Sequence, residues 1–410
     1  MAKKQAKPTP AQTIARLERD VRSLRREARN AEALRHKVAE DSKLRGQFRG
    51  AIGSGEYAAY IDREKVRNTC RWLDQRSPIF AGMIDAIVDY AIGHGLKPVG
   101  KGTGTPSDEG CRLFSAWMDR LPGGIDIRNL DPGGAWQRMF LRASLVDGDI
   151  GGVLVRAMGD PAQGGRDQAV QTIESDLIQS RTGANATPTE DDREGVIVDP
   201  ATGAPLKYHV VEYDMRGGGL SLTSRGRDVL ASRMIYLAHR RRPSQTRGMS
   251  ILAVGADRLI GLDEYVDSVE VAAKIQAMFA LLIKSKAPEG VRNAMMTGTE
   301  TTTSASGDSV VRNLAEVAAG QIITLAEGED GQSIQSSQPG PVFDSFCRSL
   351  CRMVCAGIRF PYEVAMNDFS GLNFSQARLS VTAAREVGAV LRDRFIRTVL
   401  DRLYRWRIAY

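Results

Sequence analysis

The sequence predicts an α+β fold in which helices predominate. Apolar residues at helical spacing lie toward both ends of the 410-residue chain, and β-rich runs broken by turn residues lie between them, from 151 to 240. The stretch 251–285 contains no Pro and little Gly, which is typical of a long helix. With 42% hydrophobic residues, the chain can bury a sizeable core, and its length suggests two or three domains.

The first 50 residues predict a basic helical arm. They hold fourteen Lys and Arg against six Asp and Glu, a net charge of +8, whereas the whole chain carries +7 and the remaining 360 residues therefore carry −1. A coiled-coil spacing of apolar residues runs through the arm and fades after two heptads: Ile14, Leu17, Val21, Leu24 and Ala28. Tight binding of nucleic acid depends on basic surface, so the arm is its candidate and the near-neutral body is not.

Several classes of protein are disfavoured by the composition. No run approaches the ~18 apolar residues of a membrane span, and the N-terminus lacks the apolar core of a secretory signal. Five cysteines, an odd number, predict reduced thiols inside a cell. Cys347, Cys351 and Cys355 recur every four residues on one predicted helix, which favours a packing face over a metal cage. No phosphate-loop or nucleophile-elbow motif is present, so no cofactor and no enzymatic activity are predicted.

The N-terminal half predicts helices followed by strands. Residues 63–96 indicate one or two helices, with a Ser-Pro start at Ser77 and a stop at Gly95. Residues 101–110 indicate a loop and 130–146 another helix. Strands are predicted in "GGVLVRAM", "AVQTIESDLI" and "DVLASRMIYLAHR", and a hairpin in "GVIVDPATGAPLKYHVVEY".

The stretch "HRRRPSQTRG", His239–Gly248, is called the arginine turn here. It concentrates positive charge at a proline turn between two ordered segments, with four arginines: Arg240, Arg241, Arg242 and Arg247. Such charge fits either phosphate binding or a solvated surface loop.

The C-terminal half alternates helices with polar connections. The long helix predicted over 251–285 carries an apolar heptad stripe and an acidic face that includes Asp263, Asp267 and Glu270. A loop at 296–309 precedes a strand-and-turn segment, a helix over 341–358, a loop over 359–378 and a final helix over 376–408. The final helix is still amphipathic where the sequence stops, which suggests a shortened chain.

Asp147 and Asp149 flank Gly148 in "VDGDIGG", just before a predicted strand. Paired aspartates can hold a catalytic metal ion, as in enzymes that process nucleic acids. A strand-entry turn is the other interpretation, and no third carboxylate lies in a supporting context.

Five stretches, in order, resemble lambda-type bacteriophage portal proteins. They are the helix "RSPIFAGMIDAIVDYAIGHGLKP", the pair "DGDIGGVLVR" and "IESDLI", the arginine turn with the "LDEY" helix after it, "LAEVAAGQIITLAEGED", and "GIRFPYEVAMNDFSGLNFSQARLSVTAARE". Each motif is short, but their common order over roughly residues 55–405 is specific. The long basic arm and a missing C-terminal segment depart from the family pattern.

The resemblance implies a portal-like subunit in a ring-shaped homo-oligomer of about twelve copies. It divides the chain as follows: a basic N-terminal arm (1–50), a wing (51–250), a first stem helix (251–285), a clip (286–340), a second stem helix (341–358), a tunnel loop (359–376), and a helix leading to a truncated crown (377–410).

The resemblance also implies a function and partners. The ring would sit at one capsid vertex of a tailed phage or prophage particle, where the terminase motor packages double-stranded DNA and through which DNA is ejected. The terminase large subunit, a head–tail adaptor, and the major capsid or scaffold protein would be partners, in the virion and, during assembly, in the host cytoplasm. Two other hypotheses are a nucleic-acid-processing enzyme with a metal at Asp147 and Asp149, and a scaffold whose arm binds nucleic acid.

Three sets of site residues follow from the resemblance. The four arginines of the turn lie where wing meets stem, facing either packaged DNA or acidic groups of neighbouring subunits. The three acidic residues of the first stem helix face the channel and repel the DNA backbone. The tunnel loop narrows the channel, with Ser375 as the helix cap and Phe369 and Phe374 as anchors; its lining residues are Asn367, Asp368, Phe369, Ser370, Gly371, Asn373 and Arg378.

Overall fold

The computed structural model describes residues 56, 62–102, 104–158, 166–181, 191–214, 221–278, 282–285, 299–303, 309–313, 329–332 and 343–409. The basic arm lies outside the described residues, as does most of the predicted clip. In the described part of the chain, none of the helices has the length and apolar character needed to span a lipid bilayer. The chain divides into two units, residues up to Leu259 together with Cys351–Tyr410, and Ile260–Leu350.

The described part of the first unit begins with four helices, which are α1 Arg63–Arg76, α2 Pro78–Ala91, α3 Pro106–Asp119 and α4 Gly133–Asp147. The predicted segment 63–96 is two helices because Ser77 adopts an extended backbone (ψ 109°) before Pro78, as residues preceding proline do. Helix α2 ends ahead of Gly93 and Gly95, whose φ angles of 59° and 118° leave the helical region.

Helix α3 corrects the prediction of a loop over 101–110. The loop stops at Thr105, whose side-chain oxygen accepts a hydrogen bond from the backbone N–H of Asp108 at 3.3 Å. Pro106 and the acidic residues Asp108 and Glu109 occupy the first turn. The string "TPSDE" is therefore a helix start with cap, proline and acidic first turn.

The strands of the first unit form two antiparallel sheets: β1 Asp149–Met158, β2 Arg166–Ile173, β3 Asp191–Arg193, β4 Val196–Val198, β5 Pro205–Asp214, β6 Ser221–Leu230 and β7 Met234–Ala238. One sheet has the order β2-β1-β7 and the other β3-β4-β5-β6. Apolar side chains from both sheets share one core, which includes Val153, Ile173, Tyr208, Val210 and Met234. The predicted hairpin is confirmed as β4–β5.

Two predicted strands are shorter than expected. The run "AVQTIESDLI" leaves its strand after Ile173 and makes a 3-10 turn at Ser175–Leu177. The run "DVLASRMIYLAHR" is two strands, because β6 and β7 belong to different sheets and a 3-10 turn at Ala231–Arg233 joins them. Both turns redirect the chain between sheets, which a local β propensity does not encode.

The remaining elements run from the long helix to the C-terminus. They are α5 Ala256–Met278, β8 Leu282–Ser285, β9 Thr299–Thr303, β10 Ser309–Asn313, β11 Glu329–Gln332, α6 Phe343–Ile358, α7 Tyr362–Ala365, α8 Phe374–Phe395, a π turn Ile396–Leu400 and α9 Asp401–Ile408.

The predicted helix over 251–285 is too long at both ends. Residues 251–255 form turns, and α5 begins after Gly255, where an added Cβ would lie 2.8 Å from a methyl group of Val354. After α5, Leu282–Ser285 is a strand because it pairs antiparallel with Glu329–Gln332, which satisfies its backbone groups outside a helix. Gly261 does not break α5.

In the second unit, part of the polar stretch predicted as a loop, 296–309, is a hairpin. Strand β9 pairs with β10, with Thr302 opposite Val310 and Thr301 opposite Val311. The β-branched threonines of "TETTT" favour extended backbone and outweigh the low apolar content that suggested a loop.

The final helix and the cysteine face agree with their predictions. Helix α8 packs on α2, where Gly388 approaches the backbone of Tyr90 so closely that an added Cβ would lie 2.6 Å from the Tyr90 carbonyl oxygen. Cys351 and Cys355 of α6 are buried, and neither forms a disulfide bond within the described residues.

Candidate functional site

The arginine turn divides into one buried and three exposed arginines. Arg247 is 2% exposed, whereas Arg240, Arg241 and Arg242 are exposed. The turn is shaped by buried Gln245, whose Oε1 accepts hydrogen bonds from the backbone N–H groups of Arg241 and Arg242 at 2.7 and 2.9 Å. The turn therefore presents a three-arginine surface on a fixed backbone.

Arg247 holds four segments of the first unit together. Its Nε donates to Asp149 Oδ2 at 2.8 Å and its Nη2 to Asp149 Oδ1 at 3.1 Å. The guanidinium also donates to the backbone carbonyls of Ile178 at 2.8 Å, Glu194 at 2.6 Å and Ser175 at 2.7 Å. This bidentate, fully bonded geometry is one that arginine forms and lysine cannot. The prediction that Arg247 faces DNA or a neighbouring subunit is therefore wrong for this residue.

Asp149 is the acidic centre of the same network. It is 0% exposed and accepts three further hydrogen bonds: from the Gly248 N–H at 2.9 Å, the Tyr236 hydroxyl at 2.7 Å and the Ser175 hydroxyl at 2.6 Å. Burial opposes the charged carboxylate, but the Arg247 guanidinium outweighs it and holds the pKa of Asp149 well below its ordinary value. The residue is a charged structural anchor.

Asp147 has a separate partner, so the two aspartates do not form a metal site. Arg71 donates to Asp147 from Nε at 2.8 Å and from Nη2 at 2.5 Å. Gly148 between them adopts a φ of 99°, the strand-entry turn that was the other interpretation of "VDGDIGG". Across the described residues, no three His, Cys, Asp or Glu side chains are placed to share a metal ion.

His239 is buried at the start of the arginine turn. Its Nε2 lies 3.1 Å from the hydroxyl oxygen of Ser144. Burial, aided by the nearby charge of Arg394, lowers the pKa of His239 to about 3. The histidine is therefore neutral in the folded protein at physiological pH.

The tunnel loop is shaped mainly by Asp368. Its Oδ2 accepts a hydrogen bond from the Tyr362 hydroxyl at 3.0 Å, and its Oδ1 accepts from the Ser370 N–H at 3.1 Å and from the Ser370 hydroxyl. Asn367 and Gly371 adopt φ angles of 51° and 78°, in the left-handed region. Local side-chain hydrogen bonds and these two left-handed positions make a defined turn.

The helix after the tunnel loop, α8, begins at Phe374, and Asn373 is its N-cap. Asn373 Oδ1 accepts from the Gln376 N–H at 2.9 Å, and Gln376 Oε1 accepts from the Asn373 N–H at 3.3 Å, a capping box. The prediction of Ser375 as the cap is therefore wrong, because Gln376 lies three residues after Asn373 and closes the box there. Phe374 is 83% exposed and does not anchor the loop within its own chain.

The other predicted lining residues are at the surface. Asn367, Phe369, Ser370, Asn373 and Arg378 are exposed, and Asp368 is half-buried. This exposure fits a lining role, and their position in a channel stays a prediction.

In the second unit, the acidic face of α5 is exposed in part. Asp267 and Glu270 are exposed, Asp263 is half-buried, and Glu270 accepts a salt bridge from Lys274 Nζ at 2.5 Å. Tyr265, on another side of α5, stacks on the Phe343 ring with 5.7 Å between the ring centres. The orientation of the acidic residues toward a channel stays a prediction.

Several residues of the buried network gave no sequence signal. Tyr236, Ser175 and Arg71 come from three separate segments, and the Arg71–Asp147 contact joins residues 76 positions apart. Arg63 is also buried and forms ion pairs with Glu56 and Glu194.

A sequence model of one protein family, described as "Phage portal protein, lambda family", matches residues 42–392. No curated protein sequence matches the chain.

Two solved structures are similar over most of their length. A chain of "Neck of empty GTA particle computed with C6 symmetry" has 14% identity and a TM-score of 0.45, covering 81% of this chain and 82% of that one. An HK97-family phage portal protein from Corynebacterium diphtheriae has 9% identity and a TM-score of 0.35, covering 78% of this chain and 83% of that one.

Proposed function

The chain belongs to the lambda family of phage portal proteins, and from that premise we propose that it forms the DNA channel at one capsid vertex. About twelve copies close into a ring. Double-stranded DNA enters the ring during packaging, driven by the terminase motor, and leaves through it at infection. The observation that carries the proposal is the family match over residues 42–392, which includes the arginine turn, α5 and the tunnel loop.

The distribution of charge supports a conduit over a tight DNA binder. The chain after the arm carries a net charge of −1, and α5 presents acidic side chains such as Asp267 and Glu270. A channel lined with acidic groups repels phosphate, so a duplex slides through it without being held.

The proposed partners follow from the same role. The terminase large subunit and a head–tail adaptor dock on the clip, 286–340, and the major capsid or scaffold protein surrounds the ring. The protein acts in the virion and, during assembly, in the host cytoplasm. The proposed role is non-catalytic. Because Arg71 binds Asp147 and Arg247 binds Asp149, the two carboxylates do not form a metal site for an enzyme.

Ring formation and packaging test the proposal together. Negative-stain imaging and mass photometry of the purified protein are expected to show closed rings with a central opening. A phage lacking its portal gene, complemented with this chain and its cognate terminase, is expected to fill capsids with DNA. A protein that stays monomeric at micromolar concentration, or rings whose loss leaves packaging unchanged, would overturn the proposal.

A further inference from the structure

A cavity of about 480 Å³ lies beside the arginine turn, inside the first unit. It is bounded by the turn, by the β4–β5 hairpin and by the helical segment around the π turn. Tyr208 and Tyr236 contribute two aromatic walls, with their ring centres 5.1 Å apart. The volume is within the range of small-molecule sites, so the class of ligand follows from the lining residues and not from the size of the cavity.

Three arginines line this cavity without a carboxylate partner among the described residues: Arg240, Arg394 and Arg402. Arg394 donates to the Ala238 carbonyl, and Arg402 donates to the Ala231 carbonyl at 2.9 Å. These bonds fix the two guanidiniums in place, while most of the five N–H donors of each form no hydrogen bond with the described residues. A fourth lining arginine, Arg193, is bound to Asp191 and is neutralised by it.

The π turn explains why two of the arginines face the same cavity. Arg394, Thr398 and Arg402 are four residues apart, and all three line it. In a regular α-helix each step of four residues over-rotates by about 40°, so a third residue in the series would turn away. The π turn at Ile396–Leu400 widens the helix and cancels this rotation.

The electrostatics of the cavity favour an anion. The positive charge of Arg240 adds to burial in lowering the pKa of Arg394, so the two guanidiniums repel each other. Serine and threonine hydroxyls of the turn, Ser244 and Thr246, also line the cavity and can donate hydrogen bonds. Several donors that line one cavity suit a tetrahedral oxyanion, which accepts hydrogen bonds from many directions.

We propose that this cavity binds one phosphate group, held by Arg240, Arg394 and Arg402. The group is either free inorganic phosphate or a phosphate of a DNA backbone. The site is independent of ring formation, since all its residues belong to the first unit of one chain.

Equilibrium dialysis of the full-length protein against radiolabelled inorganic phosphate, at ionic strength held constant with chloride, tests the site. Saturable binding of one phosphate per chain is expected. Arg240→Gln replaces an exposed guanidinium that forms no hydrogen bond or salt bridge with the described residues, so folding is expected to be preserved. This variant is expected to raise the dissociation constant about tenfold, while Arg241→Gln, its exposed neighbour outside the cavity, binds as the wild type does.

Competition with unlabelled duplex DNA identifies the source of the phosphate. Displacement of radiolabelled phosphate by the duplex in the wild type indicates a DNA backbone phosphate. Retention of the label in the presence of duplex indicates free phosphate. Absence of saturable binding, equal binding by Arg240→Gln and Arg241→Gln, or a ring structure in which a neighbouring subunit's carboxylate fills the cavity would each overturn the proposal.

Discussion

At the residue scale, arginines of one turn serve opposite physical roles. Arg247 is buried against Asp149 with every hydrogen bond made inside the protein, whereas Arg241 is exposed. Removing one partner of a buried, bonded ion pair costs about 3–5 kcal/mol because the other charge is left uncompensated. Exposed substitutions usually change stability by about 0.5 kcal/mol or less.

Arg247→Lys is therefore expected to lower the free energy of unfolding by about 3 kcal/mol. Lysine keeps the charge but cannot bond Asp149 at two points and reach the carbonyls of Ser175 and Glu194 together. Urea unfolding followed by circular dichroism measures the change, with Arg241→Lys as the matched control. Equal midpoints for the two variants would contradict the anchoring role.

Stability is also expected to fall as the pH is lowered from about 6.5 toward 5. Burial lowers the pKa of His239 to about 3, so the unfolded chain takes up a proton in this range and the folded chain does not. Each pH unit then removes about 1.4 kcal/mol, and the contribution is fully present only above the unfolded pKa. Urea midpoints between pH 7 and 5 check this, and the slope is expected to be smaller in His239→Asn.

The sequence singled out the arginines of the turn and the two aspartates, but it did not predict which of them are buried or what they bind. The four arginines of the turn look alike in a string of letters, and only the partner 98 residues away makes Arg247 different. Asp147 and Asp149 were equally ambiguous, since a metal pair and two separate anchors share the same spacing. Tertiary partners decide both cases, and a single sequence does not contain them.

At the element scale, the tunnel loop depends on one left-handed glycine and one aspartate. Gly371 has a φ of 78°, and no atom lies within 4 Å of an added Cβ, so backbone angle alone restricts this position. Proline fixes φ near −65°, which the loop cannot accept. Asparagine tolerates the left-handed region.

Gly371→Pro is accordingly expected to leave ring assembly intact and to block DNA packaging, because it reshapes the loop without touching the core. Insertion of a bulky residue at Ser370 is expected to act in the same way. Packaging is measured as DNA protected inside capsids, and Gly371→Asn, which retains the left-handed backbone, is expected to package normally. If the Gly371→Pro variant fills capsids with as much DNA as the wild type does, the loop is not required for packaging.

Helices and strands were predictable where local signals agreed. The Ser-Pro start of α2 and the hairpin β4–β5 follow from turn chemistry that acts over a few residues. The strand β8 was assigned to a helix because its partner, β11, lies more than forty residues later in the chain. Pairing over such distances outweighs helical spacing, and the spacing alone cannot reveal it.

At the scale of the whole molecule, charge is separated along the chain. The first 50 residues carry +8, and the rest carries −1. A conduit needs weak contact with the duplex along its length, while recruitment of DNA to a vertex benefits from a local basic segment.

A variant that starts at residue 51 is expected to lose most nonspecific DNA binding and to retain ring formation. Fluorescence anisotropy with a labelled duplex, measured over a series of salt concentrations, gives both the affinity and its salt dependence. The full-length protein serves as the control. Equal, salt-sensitive binding by the truncated protein would assign the DNA contact to the body of the chain.

In the arginine turn, the residue that fixes the backbone, Arg247, is distinct from the three arginines that are exposed at the surface. Replacing Arg240, Arg241 and Arg242 alters surface charge while Arg247, Gln245 and Asp149 keep the backbone where it is. Evolution and protein engineering can thus vary the exterior of this turn at little risk to folding. A designer could alter the salt dependence of contacts at this turn by exchanging Arg241 and Arg242, and natural relatives are expected to diverge at these two positions before Arg240, which lines the proposed phosphate site.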